Sequence, residues 1–226
     1  MLKDFFSLLF PRYCLSCDGP LVSEEETICT NCIYELPKTN YHLEPNNPVM
    51  GKFYGLIKIK HAFAYLKFVK NGKVQKLLHQ LKYGNHPEIA LLFGRWFGQE
   101  LKDQHFHQEI DLIIPIPLHR SRLRQRGYNQ SDPFAQGLSE ILGIPWDAEV
   151  LQRVIKSQTQ TLKGREERWR NVSNIFNINK PNQVQGKKLL LVDDVITTGS
   201  TLESCGNTLY QGECQELSVC TIAVSQ

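Results

Sequence analysis

The sequence predicts an α/β domain with a doubly wound, mostly parallel sheet, preceded by a small N-terminal ribbon built on four cysteines. Three observations carry that expectation. From residue 111 the pattern runs strand, loop, helix, strand, the rhythm of parallel strands joined by crossover helices. Leu189-Leu190-Leu191-Val192 is a continuous apolar run of the kind a strand covered on both faces shows. Ahead of both, Cys14-x2-Cys17 and Cys29-x2-Cys32 form two closely spaced pairs. At 226 residues, 41% apolar and 22% charged, the chain can bury roughly 70% of its unfolded surface without disulfide staples.

Residues 1–45 read as the ribbon and 46–226 as the main domain, with Pro45-Asn46-Asn47-Pro48 punctuating the join. The first residues are apolar for only six positions, Phe5 to Phe10, before Pro11, which reads as a docking turn and not a signal peptide. His61 to Phe68 alternates as a strand does, with Phe63 and Tyr65 on one face. Val74, Leu77, Leu78 and Leu81 recur at helical spacing until Tyr83-Gly84-Asn85 stops them; Ile89, Leu92, Phe93, Trp96, Phe97 and Leu101 repeat the stripe. Asp111 to Pro117 is a short apolar strand, and a basic loop follows it. Ser131-Asp132-Pro133 opens the next helix, whose inner face is Phe134, Leu138, Ile141 and Leu142 and whose end is Gly143. Ala148 to Val154 reads as a second strand, and the polar, basic stretch 155–173 as a functional loop. After the run at 189, a helix from Thr201 to Gln211 and a strand from Leu217 to Val224 complete the pattern.

Net charge is +3, too small to announce a nucleic-acid binder, but it is unevenly spread. Residues 119–130 carry four arginines and no acid, and residues 151–171 six bases and two acids, so each stretch is +4 and the remainder −5. That points to a discrete anionic ligand more than to a long polyanion. No apolar run approaches the ~20 residues that cross a bilayer. Seven cysteines, an odd number with no export signal, indicate a reducing cytoplasm and not a disulfide framework.

Cys14, Cys17, Cys29 and Cys32 supply the four donors of a tetrahedral ion, with each CxxC turn aiming two sulfurs at one metal. A closed four-thiol shell leaves no open position, so zinc is expected there in a structural role. Cys205, Cys214 and Cys220 read as buried small apolar residues.

The most informative stretch is Leu189 to Thr201. A buried strand ends in Asp193 and Asp194, and a turn of Thr197, Thr198, Gly199, Ser200 and Thr201 opens a helix. Successive backbone N–H groups and hydroxyls at a helix start suit a phosphate, and Gly199 allows close approach. Two carboxylates beside a phosphate fit only if they face uncharged hydroxyls, as a ribose would offer. Acid pair plus phosphate turn therefore spells a sugar phosphate. The GxxxxGK[ST] run of a P-loop is absent, as are HExxH and Ser-His-Asp patterns.

This run resembles the signature by which type I phosphoribosyltransferases hold 5-phosphoribosyl-1-pyrophosphate (PRPP). Further along, Leu81-Lys82-Tyr83-Gly84, Ile114-Pro115-Ile116-Pro117-Leu118-His119, Arg126-Gly127-Tyr128-Asn129-Gln130, and Gln160, Leu162, Arg165, Arg168 and Asn171, with the four-Cys ribbon, resemble the ComF family. The resemblance implies a type I phosphoribosyltransferase-like fold, with Asp193 and Asp194 on the ribose 2′- and 3′-hydroxyls and residues 197–201 on the 5′-phosphate. It also implies a pyrophosphate loop at Arg120, Arg122, Arg124 and Arg126, among which alternate spacing favours Arg120 and Arg126. Arg165 and Arg168 occupy the place of a loop that closes over the site. Magnesium would arrive with PRPP, bound mostly through substrate and water. The implied reaction moves phosphoribosyl from PRPP to an unidentified acceptor and releases pyrophosphate. With the last strand ending next to Gln226, the acceptor wall is expected from residues 1–60, ribbon included. The alternative is a catalytically silent PRPP sensor that binds single-stranded DNA, or a DNA-uptake protein, in natural competence. Stacking aromatics near the arginines are few, Tyr128 and Trp169.

Overall fold

The computed structural model describes residues 12–22, 24–154 and 175–225. The N-terminal turn at Phe5 to Phe10, and the stretch 155–173 with Arg165 and Arg168, lie outside these residues.

Four parallel strands form the main sheet in the order β1 (Ala62–Phe68), β6 (Glu216–Ser225), β5 (Lys188–Ile196), β2 (Leu112–Pro115). The uninterrupted apolar run of β5 has a physical reason: it feeds two cores. Leu190 and Val192 enter the cluster on one face of the sheet, and Leu189 and Leu191 the cluster on the other. The strand's period of two divides one sequence between both layers.

The first face is covered by α3 (Lys73–Tyr83), α4 (Glu88–Asp103) and α6 (Ser131–Leu142), each turning its predicted stripe inward. Gly143 ends α6 at φ 72°. The opposite face carries α7 (Ser200–Gln211) and α2 (Pro48–Gly51). Helices α4 and α6 approach through a pair of glycines. A Cβ on Gly137 would lie 2.3 Å from the Leu91 carbonyl oxygen, and one on Gly94 2.4 Å from that of Phe134. Both obstacles are backbone, so neither can rotate away. Gly137→Ala is therefore expected to destabilise the protein by about 1–3 kcal/mol or more, lowering the melting temperature by several degrees in a thermal scan.

The ribbon joins the same core. It contains α1 (Thr30–Tyr34), and Cys14, Ile28, Cys32 and Leu36 belong to the apolar cluster of Phe63, Tyr65 and α3. The join at 45–48 is knitted by buried Asn47. Its amide nitrogen donates to the carbonyls of Tyr41, Glu44 and Ala62, and its oxygen caps α2 by accepting from Val49 and Met50 N–H.

Two expectations are corrected. Residues 120–126 form a helix, α5 (Arg120–Arg126), and not a loop: His119 caps its start and Gly127, at φ 80°, ends it. The strand expected over 148–154 is reduced to β3 (Leu151–Arg153), which pairs antiparallel with β4 (Phe176–Ile178) outside the parallel sheet. The free edge of β2 is already occupied, because Ile113 N–H donates to the Pro145 carbonyl and its own carbonyl accepts from Asp147 N–H. The chain has to leave the sheet before β3 begins.

Candidate functional site

Strand β5 stays paired to β6 through Ile196, whereas its pairing with β2 stops at Val192 opposite Pro115. Asp193 and Asp194 therefore sit where one side of the strand opens. The turn that follows exposes Thr197, Thr198 and Ser200 and buries Gly199, which caps α7 at φ 88°, while the Thr198 hydroxyl accepts from the Ser200 N–H at 3.4 Å. A Cβ there would meet the Phe53 ring at 3.4 Å, in a backbone conformation that disfavours side chains. The turn 195–202 and Asp193 wall a niche of about 30 Å³ at the positive end of α7.

The two acids have different surroundings. Asp193 accepts from the Ser131 hydroxyl at 3.1 Å and from the Asp194 N–H at 2.8 Å. Burial, and next the charge on Asp194, push its carboxyl up to about 7. Asp194 pairs instead with Lys82 at 2.9 Å, and both side chains are largely shielded, at 15% and 22% exposed.

Three sequence motifs meet behind these acids. Tyr128 donates its hydroxyl to the Leu81 carbonyl, and Asn129 donates to the Ile116 carbonyl at 3.0 Å and to Asp132 at 2.6 Å. Arg126 donates to Gln130 at 2.7 Å and lies over the Tyr83 ring at 5.5 Å. The Arg126–Gln130 segment thus clasps the end of α3 to the end of β2, and its arginine is held in a defined place.

These parts enclose a cavity of about 450 Å³. Asp193, Asp194, Thr197 and Thr201 line it together with the cations Lys82, Arg122, Arg126 and Arg153. Arg122, not Arg120, accompanies Arg126. Alternate spacing selects residues on an extended loop, but on a helix the i and i+4 positions share a face, so 122 and 126 point together. Arg120 and Arg124 are exposed on α5 and do not line the cavity. The wall beside the acids is Phe68, Gln75, Leu78 and His79; among the described residues, none from the stretch 1–60, where the acceptor wall was expected, lines it. In the sequence Lys82 lies within Leu81-Lys82-Tyr83-Gly84, Arg122 is one of four arginines in the basic stretch 119–130, and Arg153 opens the second basic stretch. Ser131 carries no signal in the sequence beyond a helix start.

In the ribbon, the sulfurs of Cys14, Cys17, Cys29 and Cys32 all lie within 4.8 Å of one another. Cys17 and Cys29 sulfurs are 3.8 Å apart, which is about the edge of a tetrahedron with 2.3 Å metal–sulfur bonds. Backbone N–H groups of Ser16 and Cys29 point at the Cys14 sulfur and that of Gly19 at Cys17, the donors that stabilise thiolate charge. The four thiols fit a tetrahedral metal ion. Cys205, Cys214 and Cys220 are buried in the main domain. Among the described residues no helix is long and apolar enough to cross a membrane.

Comparison with known proteins places this geometry in context. The phosphoribosyl transferase domain family matches residues 79–225. The chain is 38% identical over 138 residues to DNA utilization protein YhgH of Salmonella typhimurium, a match that spans 60% of each protein. It is 33% identical over 190 residues to the protein of the same name in Shigella flexneri, 83% of this chain and 79% of that one. Competence protein F of Haemophilus influenzae is 29% identical over 220 residues, 93% and 96%. Among solved structures, the allosteric regulatory enzyme of purine biosynthesis aligns with a TM-score of 0.45 and 18% identity, over 64% of this chain and 30% of that one.

Proposed function

The chain belongs to the phosphoribosyl transferase domain family and, within it, to the ComF proteins, and on that premise we propose that it binds PRPP and transfers its phosphoribosyl group to an acceptor, releasing pyrophosphate. One observation carries the reading: a strand-end acid pair and inward arginines line one cavity, and the phosphate turn at a helix start walls a niche that shares Asp193, Thr197 and Thr201 with it. In this reading residues 197–201 hold the 5′-phosphate, Asp194 and Asp193 the ribose hydroxyls, and Arg122 and Arg126 the pyrophosphate. Phe68, Gln75, Leu78 and His79 form the surface on which the acceptor rests.

A magnesium ion, when bound with the substrate, neutralises charge on the diphosphate, and substrate oxygens with the strand-end carboxylates are donors a hard cation takes. Zinc in the four-Cys ribbon is structural, and a reducing cytoplasm suits the free thiols. Calorimetric titration with magnesium and PRPP is expected to give one site per chain, and incubation with nucleobases to release pyrophosphate. A folded protein that takes up no PRPP at millimolar concentration would remove the proposal.

A second reading rests on Arg120 and Arg124, which stand on α5 outside the cavity, and on relatives whose names speak of DNA utilization and competence. It makes the protein a catalytically silent PRPP sensor that binds single-stranded DNA during uptake. Adding an oligonucleotide to the same titration tests it: affinity falls steeply with salt if those arginines contact phosphates.

A further inference from the structure

Helix α3 carries two stripes. One is the apolar face buried in the core; the other, Gln75, Leu78, His79 and Lys82 at i, i+3, i+4 and i+7, lines the cavity. Its other described cation contacts lead elsewhere: Lys73 pairs with Glu35 and Lys76 with Asp18, both in the ribbon. Lys82 is the cation this helix sends to the acid pair, where it meets Asp194 at 2.9 Å. We infer that Lys82 is a further ligand-handling residue: it neutralises Asp194 before the sugar binds, then turns its charge to the pyrophosphate once a ribose hydroxyl bonds Asp194. The inference rests on the PRPP reading.

The charge arrangement requires such a residue. A diphosphate entering this cavity meets Asp194, whose negative charge would repel it, and a neighbouring ammonium cancels that charge. Arg126 is poorly suited to move, since Gln130 and the Tyr83 ring hold it. A lysine is suited, being a compact charge on a flexible four-carbon stem. The pair is also shielded from water, so its charges interact more strongly than a surface pair does. In the reaction the bond from ribose C1 to oxygen breaks, its electron pair leaves with pyrophosphate, and the acceptor forms the new bond at C1. Lys82 meets the charge that accumulates on the leaving group and transfers no proton.

The test is calorimetry of the full-length wild type, Lys82→Met and Lys82→Arg with three ligands: PRPP, inorganic pyrophosphate and ribose 5-phosphate. Lys82→Met is expected to bind PRPP and pyrophosphate about tenfold more weakly or worse, to bind ribose 5-phosphate within about threefold of wild type, and to be partly rescued by arginine. Equal loss for all three ligands would make Lys82 only a prop for Asp194 and overturn the inference. Unchanged affinity for PRPP and pyrophosphate would overturn it too. Wild type that binds none of the three removes the PRPP reading itself, a result distinct from wild-type binding that Lys82→Met leaves intact. If Lys82→Met fails to fold by thermal scan, Lys82→Gln, which keeps a polar group beside Asp194, takes its place under the same criteria.

Discussion

Asp193→Asn is expected to make the protein more stable at pH 8 while reducing phosphoribosyl transfer by about a hundredfold or more. The two effects share one cause. Asp193 is half-buried beside a second carboxylate, and its carboxyl lies at about 7 in the folded chain against an ordinary value near 4. Between those values the folded state holds a proton that the unfolded state has lost. Stability therefore declines as pH rises through that window, and above it the folded chain bears the full cost of a charge it disfavours. Asparagine removes the charge and keeps an oxygen to accept from Ser131 and the Asp194 N–H. Melting temperatures at pH 5 and pH 8 check this. The wild type should lose about 1–3 kcal/mol more than the variant between them. Pyrophosphate release measured on the same samples checks function. Asp194→Asn should abolish transfer as well, but with no gain in stability, because it leaves Lys82 without its partner. Parallel pH profiles for wild type and Asp193→Asn would show that another group titrates. A folded Asp193→Asn with full transfer would remove the carboxylate from the ribose.

Stability sacrificed at one residue is what a site built for a ligand shows, and it also marks where the sequence stops being readable. Residues 189–201 were legible because everything they do is local: a run buried on both faces, two adjacent acids, a glycine in the left-handed region, a helix start. The cysteine pairs were legible for the same reason, since a CxxC turn fixes two sulfurs by itself. Helix α5 was not, because a stretch of alternating arginines has one apolar residue, Leu123, and so no periodicity. Its helix is set by the His119 cap and by Gly127. The partners of the acids were invisible for a different reason. Ser131 stands 62 positions before Asp193, and Lys82 is on another helix altogether, so only the fold brings them together. Strands β3 and β4 bury one residue each, too little to leave a pattern. Tyr128 and Asn129 stand in a recognisable motif, but their work, donating to carbonyls at the ends of α3 and β2, needs three-dimensional adjacency.

Stripping the ribbon of its metal, or making Cys17→Ser, is expected to lower the melting temperature by roughly 10 °C or more, since structural zinc sites contribute several kcal/mol and a domain of this size loses about 2–4 °C per kcal/mol. Cys17 is the informative ligand because it is exposed, so serine there costs almost no packing and reports ligation alone. The loss should not stay in the ribbon. Cys14, Ile28, Cys32 and Leu36 share an apolar cluster with Phe63, Tyr65 and Leu77, and Lys73 of α3 donates to the Cys32 sulfur at 3.3 Å. Segment 37–39 also pairs with β1, through Lys67 N–H to the Pro37 carbonyl and Thr39 N–H to the Tyr65 carbonyl. Without an ion to hold the four sulfurs together, the turns at 14–17 and 29–32 lose their common anchor, and that apolar cluster loses one of its walls. Metal analysis should find one zinc per chain in the wild type and less than one in Cys17→Ser. Hydrogen exchange should quicken in β1 and in α3 while the far face, around α7, keeps its protection. A stripped protein whose melting temperature stays within about 2 °C of the native value would mean that apolar contacts with the main core, and not ligation, hold the ribbon in place.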